Sequence, residues 1–285
     1  MNIFINGKSA DITLDTEKTL GDVLSGIEMW ISPAGNRIRS IAIDSEPLEV
    51  DALEKAFGRN IKDIKNLDIT VSSWRELAAE ALEVLSTTCK NYLDAPFEKR
   101  QTLREDWEKC AAARFLVSDI RDIYEYAGKT FQGEGFSAAE LAILVDERLR
   151  EVTDPKLEIN ASEALVITIA QRMEELPLDI QTGKDMRAAE TVQLFAQMGE
   201  KLFRIFFLLN GEGLSLDTFI IDTLPARTFI DDFNAVLGEL SAAFENRDTV
   251  LAGDIAEYEL SPRLLKFFTA LKQITELNSY IIPTP

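Results

Sequence analysis

The chain predicts an α+β fold: a small sheet-bearing domain at the amino terminus, followed by a larger all-α antiparallel helical bundle. Three observations predict it. Residues 1–72 hold short alternating runs separated by turn dipeptides. From Ser73 onward, apolar residues recur every three or four positions instead. Residues 181–209, QTGKDMRAAETVQLFAQMGEKLFRIFFLL, carry two adjacent helical stripes, Val192, Phe195, Gly199, Leu202, Phe206 and Leu209 on one and Leu194, Met198, Ile205 and Leu208 on the other. A helix apolar around so much of its circumference belongs in an interior. At 1.5 Å per residue it reaches roughly 40 Å, long enough to form the axis of a bundle. The expected division is a sheet domain at 1–72, a helical domain at 73–279 and a loose tail at 280–285.

Residues 2–6, NIFIN, alternate and run into Asn6-Gly7, a pair that favours the left-handed backbone of a tight hairpin. Residues 10–14 supply the second strand. Thr19 caps a helix with Leu20, Val23, Leu24 and Ile27 inward and Asp22 in its first turn; Pro33, Gly35 and Asn36 end it. Residues 37–43 form a third strand, with Ile38, Ser40 and Ala42 on one face and Ile41 and Ile43 towards the other. Asp44-Ser45 turns it into a short strand at 46–49. A short helix at 51–57 and a last strand at 67–71 close the unit.

This order, β-β-α-β-β-short α-β, resembles the β-grasp or ubiquitin-like fold. The stretch IFINGKSADITLDTEKTLGDVL is similar to the opening of such domains, sulfur carriers and plant-type ferredoxins among them. The functional residues of those families do not carry over. An iron–sulfur cluster needs four cysteines, and residues 1–73 have none; sulfur carriers need a free terminal Gly-Gly, whereas here the last strand continues through Ser72 and Ser73 into more protein. What the resemblance implies is an interaction role, because such sheets offer partners a face and an edge.

Ser73-x-x-Glu76 is a capping box that opens a helix directly after the last strand, with Trp74, Leu77, Ala78, Ala81, Leu85, Thr88 and Tyr92 as its stripe. After Asp94 and Pro96, one continuous helix is expected over 97–131, with Leu103, Trp107, Cys110 and Val117 inward before the stripe drifts to Ile120, Ile123 and Ala127. Gly133 and Gly135 stop it. Ser137-x-x-Glu140 opens a third helix and Asn160-x-x-Glu163 a fourth, although the β-branched run at 165–169 leaves a strand open there. Pro177 closes it, and the central helix follows, stopping at Asn210-Gly211. Pro225 opens a helix that aligns Phe229, Phe233, Val236, Leu240 and Phe244. The last helix begins near Asp248, and Pro262 within its pattern deprives the Tyr258 carbonyl of a partner, so a kink is expected. LDIQTGKDMRAAETVQLFAQMGEKLFRI and DTVLAGDIAEYELSPRLLKFF resemble segments of uncharacterised helical bacterial proteins, some of them motility-associated; no catalytic residue comes with that resemblance.

With 46% hydrophobic and 28% charged residues the composition is that of a globular protein. The net charge of −19, most of it beyond residue 73, repels phosphate backbones and anionic headgroups, and no basic patch offsets it. Nucleic-acid binding is therefore not expected. Nor is membrane insertion, because Lys201 and Arg204 interrupt the most apolar helix. The opening MNIFINGKSADITL lacks a basic start and a long apolar run, which points to the cytoplasm. Cys89 and Cys110 fall on apolar helix faces and read as core.

The chain has no histidine, which excludes Ser-His-Asp and Cys-His hydrolases and His-ligated metal enzymes. Gly128-Lys129-Thr130 and Gly183-Lys184-Asp185 end like phosphate loops, but the required upstream glycine is replaced by Ile123 and Leu178, so both read as helix termini. Phe203, Phe206 and Phe207 read as core before they read as a pocket. Glu174-Glu175 and Asp231-Asp232 are sequence neighbours and point apart on a helix. Asp254 and Glu257 share a face, and Glu259 and Arg263 stand at the favourable i,i+4 spacing. These four residues form the candidate partner-binding surface. No catalytic, cofactor-binding or metal-ligating residue is assigned. The expected function is a non-enzymatic protein-interaction module, an adaptor or scaffold with a protein partner. The alternatives are a small-molecule or metal-binding bundle, extending to an enzyme that uses carboxylates, and a structural subunit of a larger assembly.

Overall fold

The computed structural model describes residues 1–14, 16–49, 52–210 and 219–278. The expected start of the short helix at Asp51, the stop at Gly211 and the tail at 280–285 lie outside the described residues. The chain divides into two compact units, Met1–Leu149 and Arg150–Pro285.

The first unit opens with β1 (Asn2–Ile5) and β2 (Lys8–Ser9), followed by α1 (Leu20–Ile31), β3 (Asn36–Ile43), β4 (Glu46–Pro47), α2 (Leu53–Phe57) and β5 (Asn66–Ser73). The strand order is β2-β1-β5-β3-β4, with β1 and β5 parallel and the other pairs antiparallel. This is the β-grasp arrangement. Asn6 (φ 49°) and Gly7 (φ 74°) make a two-residue turn that sets Lys8 directly opposite Ile5. The second strand therefore starts at Lys8, ahead of the expected 10–14, and its last bond is from the Ala10 N–H to the Ile3 carbonyl (2.9 Å). α1 is capped as expected, the Asp22 N–H bonding to the Thr19 hydroxyl (3.3 Å) and the Thr19 N–H to the Asp22 carboxylate (2.9 Å). Its Leu20, Val23, Leu24, Ile27 and Ile31 bury against Ile3, Ile41, Ile43, Leu67 and Ile69.

β3 departs from the expected facing. Ile38 lies opposite Val71 and Ser40 opposite Thr70, so Arg39 is an extra residue, a β-bulge. The bulge resets the alternation, and Ile38 packs on the same core as Ile41 and Ile43.

β5 passes without a linker into α3 (Trp74–Asp94). Ser73, the last strand residue, is also the helix cap, its N–H bonding to Glu76 (2.8 Å) and its hydroxyl accepting from the Glu76 N–H (3.1 Å). The expected helix at 97–131 is three helices, α4 (Phe97–Lys109), α5 (Ala111–Asp119) and α6 (Arg121–Phe131). Cys110 is extended (φ −73°, ψ 158°) and its sulfur accepts the Ala113 N–H. Ile120 also leaves helical geometry (φ −137°, ψ 62°). Beside it, Asp119 is held by the Trp74 indole N–H (3.0 Å) and by Arg37 (3.0 Å). These breaks contain neither proline nor glycine; tertiary anchoring turns the chain so that Trp107, Leu116 and Ile123 all face inward. Gly133 and Gly135 end α6 with left-handed backbone, and the Ser137 box opens α7 (Ala138–Thr153).

The second unit contains α8 (Pro155–Glu174), α9 (Leu176–Gln181), α10 (Asp185–Asn210), a hairpin of β6 (Ile220–Ile221) and β7 (Leu224–Pro225), α11 (Ala226–Glu245), α12 (Thr249–Asp254) and α13 (Ser261–Asn278). α8 starts at an Asp154 cap with Pro155 in its first turn, so Asn160, expected to open it, lies inside it. Residues 165–169 are helical. Pro177 sits in the first turn of α9, which it opens instead of closing the helix before it. α10 packs on α8, α9 and α13 and leaves Phe207 half exposed; it is a wall of the unit and not an enclosed axis. Phe195, Phe206, Phe229, Phe233 and Phe267 interlock in the core, Phe195 stacked on Phe233 at 6.0 Å between centroids.

Candidate functional site

Between α12 and α13 the helix widens over Ile255–Leu260 into a π turn, with the Ser261 N–H bonding five residues back to Ala256. The sequence spacing demands this. Ala252, Ala256, Leu260 and Leu264 are all buried and stand four apart. On a regular helix four residues overshoot a turn by roughly 40°, so three such steps rotate the stripe by roughly 120°. One extra residue in the turn removes most of that drift. Tyr258, whose carbonyl Pro262 leaves without its helical partner, lies within this widened turn.

The π turn is anchored on its inner side. Ser261 is fully buried, its hydroxyl 3.0 Å from the Ala170 carbonyl and 3.1 Å from the Glu174 carboxylate. Eight residues earlier, Gly253 lies so close to Pro177 that an added Cβ would stand 3.0 Å from the proline Cβ and 3.2 Å from its Cα.

The four candidate residues divide into two pairs. Arg263 donates to Asp232 of α11 through Nε (3.1 Å) and a terminal nitrogen (2.8 Å), and to both the carboxylate and the carbonyl of Glu259 (carbonyl, 3.0 Å). Its partial burial alone would lower its pKa; the bonds it donates to Asp232 and Glu259 outweigh that and raise it. Arg263, steadied by Glu259 of the π turn, thus ties α13 to Asp232 of α11. Asp254 and Glu257 enter no ion pair among the described residues and instead flank Tyr258, which is 64% exposed. A hydrogen bond to the Glu257 carboxylate, reinforced by the charges of Glu257 and Asp254, pushes the Tyr258 hydroxyl above its ordinary pKa. Val250 (68% exposed) and Leu251 precede them on α12. The outer side of the turn is therefore mixed, acidic and apolar, around one exposed phenol.

Asp232, Ser261 and Gly253 carried no local signal; Asp232 lies 31 positions from its partner and looked like half of a diverging pair. The two Gly-Lys segments are helix ends. Lys129 lies in the last turn of α6, and Lys184 pairs with the buried Asp179 (3.2 Å) next to Gly183 (φ 72°). Among the described residues no group of three or more Cys, Asp or Glu side chains is placed to hold a metal ion, and no helix is long and apolar enough to cross a membrane.

Residues 1–73 match the family model of the TP0873 N-terminal domain. That span is the β-grasp sheet with its helix, ending on the cap of α3. Residues 158–270 match the model of a domain of unknown function, DUF8042, a span running from α8 through the π turn into α13. Among curated proteins and solved structures, no match was found.

Proposed function

We propose that the chain is a non-enzymatic cytoplasmic adaptor or scaffold of bacterial type. In this reading residues 1–72 act as one docking module, and the helical region from 73 presents an acidic surface to a basic protein segment. The observation that carries it is the outer side of the π turn. Exposed Tyr258 lies between Asp254 and Glu257, with Val250 and Leu251 beside it, on a turn fixed from within by Ser261 and Gly253. Widened helical turns recur at functional sites, and exposed aromatics beside uncompensated charge are what a partner of opposite sign recognises. The overall charge of −19 draws such a partner towards the chain. The phenylalanine cluster speaks for packing over a ligand cavity, since its rings pack on one another. The motility association suggested by the helical sequence belongs to this proposal as the setting in which partners would be sought.

The test is affinity capture from the native cell with the full chain and with an Asp254→Asn, Glu257→Gln, Tyr258→Ala variant. The expected result is a set of basic proteins retained by the first, released by salt and missing from the second. Identical capture by both, or turnover of a metabolite that is lost in the variant, would overturn the reading.

A further inference from the structure

The acidity of the chain is interrupted at one end of the β-grasp domain, against the expectation that no basic patch offsets it. Residues 55–65, KAFGRNIKDIK, run from α2 through a 3₁₀ turn at Ile61–Asp63 to the residue before β5, and Asp63 is the one carboxylate among their four cations. Lys55, Arg59, Lys62 and Lys65 are all exposed, and none forms an ion pair among the described residues. A second segment is fastened alongside. The Leu20 N–H bonds to the Arg59 carbonyl (2.9 Å) and the Ile61 N–H to the Lys18 carbonyl (3.2 Å), which brings exposed Lys18 to the same end. The carboxylates next to these cations are saturated by the main chain. Asp22 accepts from the Lys18 and Thr19 N–H groups (3.0 and 2.9 Å), and Asp44 from those of Lys65 and Asn66 (3.0 and 2.8 Å). Such bonds, from Lys18 above all at Asp22 and from Asn66 above all at Asp44, hold both carboxyls below the ordinary carboxylate range, and the charges of Arg59 and Lys65 add to this at Asp44.

We propose that this end of residues 1–72 docks a short acidic segment of a partner protein, with carboxylates against Lys18, Arg59, Lys62 and Lys65 and an apolar side chain against Phe57. This deepens the docking role proposed for residues 1–72 and rests on it. Arg59 is oriented for such a ligand, since its guanidinium donates to the Asp63 carbonyl (3.2 Å) and keeps further N–H groups for a carboxylate. Phe57 is 44% exposed and seated on α1, so close that a Cβ on Gly21 would stand 3.3 Å from its own. A fixed aromatic beside unpaired charge is what a peptide of opposite sign can anchor on.

The net charge of −19 does not oppose this contact but limits its extent. At physiological ionic strength exposed charges are screened beyond about 8 Å, so a ligand seated here responds to the cations it touches. Nucleic acid or an anionic bilayer is longer than the patch, also meets the acidic remainder of the chain and is repelled there. A short acidic peptide meets the patch alone.

The experiment is an amide-shift titration of the isotopically labelled full chain with a hexaglutamate peptide carrying one phenylalanine. The expected result is saturable shifts centred on residues 18–20 and 55–65, with a Kd of about 0.1–1 mM, the affinity that a few exposed charge pairs support. Each exposed pair contributes little, but charge reversal turns an attraction into a repulsion of similar size, so Lys62→Glu, Lys65→Glu is expected to weaken binding about tenfold. Its circular dichroism spectrum should be unchanged, because neither side chain is paired among the described residues. Lys99→Glu, Lys109→Glu, on exposed positions of α4, changes the net charge equally and is expected to bind like wild type. Absence of saturable shifts, equal loss in the two variants, or tighter binding at the same residues by a single-stranded oligonucleotide or by phosphatidylglycerol vesicles overturns the proposal. The Asp254→Asn, Glu257→Gln, Tyr258→Ala variant is expected to bind the peptide like wild type, so failure of this surface is distinguishable from failure of the basic-partner contact.

Discussion

Replacing glycine by alanine within a helix ordinarily stabilises it by about 0.5–1 kcal/mol, since glycine loses the most backbone freedom on folding. Gly199 in α10 and Gly238 in α11 have open space where a Cβ would stand, with no heavy atom outside their own helix turn within 4 Å. Gly253 in α12 is different: the new carbon would meet Pro177 at 3.0, 3.1 and 3.2 Å, against a rigid ring and a backbone atom that do not swing aside. Overpacking of that kind costs about 1–3 kcal/mol, which exceeds the helical gain. Gly199→Ala and Gly238→Ala are therefore expected to raise stability, and Gly253→Ala to lower it by up to about 2 kcal/mol. In a unit of this size each kcal/mol shifts the melting temperature by about 2–4 °C, so calorimetry of the full chain resolves opposite signs. Removing the ring's Cβ and Cγ in a Gly253→Ala, Pro177→Gly double variant, measured against Pro177→Gly alone, should recover part of the loss, a coupling that distant sites do not show. If Gly253→Ala melted higher, alongside the other two, the close approach of α12 to α9 inferred at the π turn would be wrong.

Burial alone would raise the pKa of Glu158, but hydrogen bonds from Lys201 and Arg150 prevail and hold it below its ordinary value of 4.5. A carboxyl lowered on folding contributes stability that is complete above the unfolded pKa and lost as the pH falls through the folded one. Urea midpoints should consequently drop more steeply below pH 4.5 in wild type than in Glu158→Gln, and parallel curves would refute this. Tyr258 should ionise at higher pH than a free phenol in ultraviolet titration, and Glu257→Gln should bring it back towards 10; an unmoved midpoint would deny that Glu257 sets the shift. Burial pushes the Cys89 thiol up to about 12, so alkylation of the native chain at pH 8 is expected to label Cys110 and spare Cys89 until denaturant is added. Modification of both at equal rates would contradict the packing of α3.

Where one residue decides a local geometry, the residues announced it. Asn6-Gly7 set the hairpin, and Thr19, Ser73 and Ser137 each stood three positions before the acid that completes their caps. What escaped depends on partners distant in sequence. Cys110 and Ile120 leave the helix because Trp107 must turn inward and Asp119 is claimed by Trp74 and Arg37, 45 and 82 positions away. The drift of the stripe along 97–131 was the trace of those breaks, read as one long helix. Arg39 gives no sign of being a bulge until β5 is laid beside it. At the candidate surface, the Glu259–Arg263 pair was visible from its spacing but its purpose was not, because Asp232 sits on another helix. The steps of four at Ala252, Ala256, Leu260 and Leu264 did encode the π turn, although Pro262 drew attention to a kink.

Ser73 belongs to two structures at once, closing β5 and capping α3. The Trp74 N–H also bonds to the Gly35 carbonyl (2.9 Å), behind the turn that leads into β3. The recognisable module of residues 1–73 therefore has no severable edge. Cut there, the fragment keeps its strands but loses the backbone donor to Gly35, the Glu76 carboxylate on its terminal amide and the Asp119 partner of Arg37. A graft or truncation that respects the molecule must carry α3 and run at least to Asp119, so the transplantable piece is longer than the piece that sequence comparison marks out.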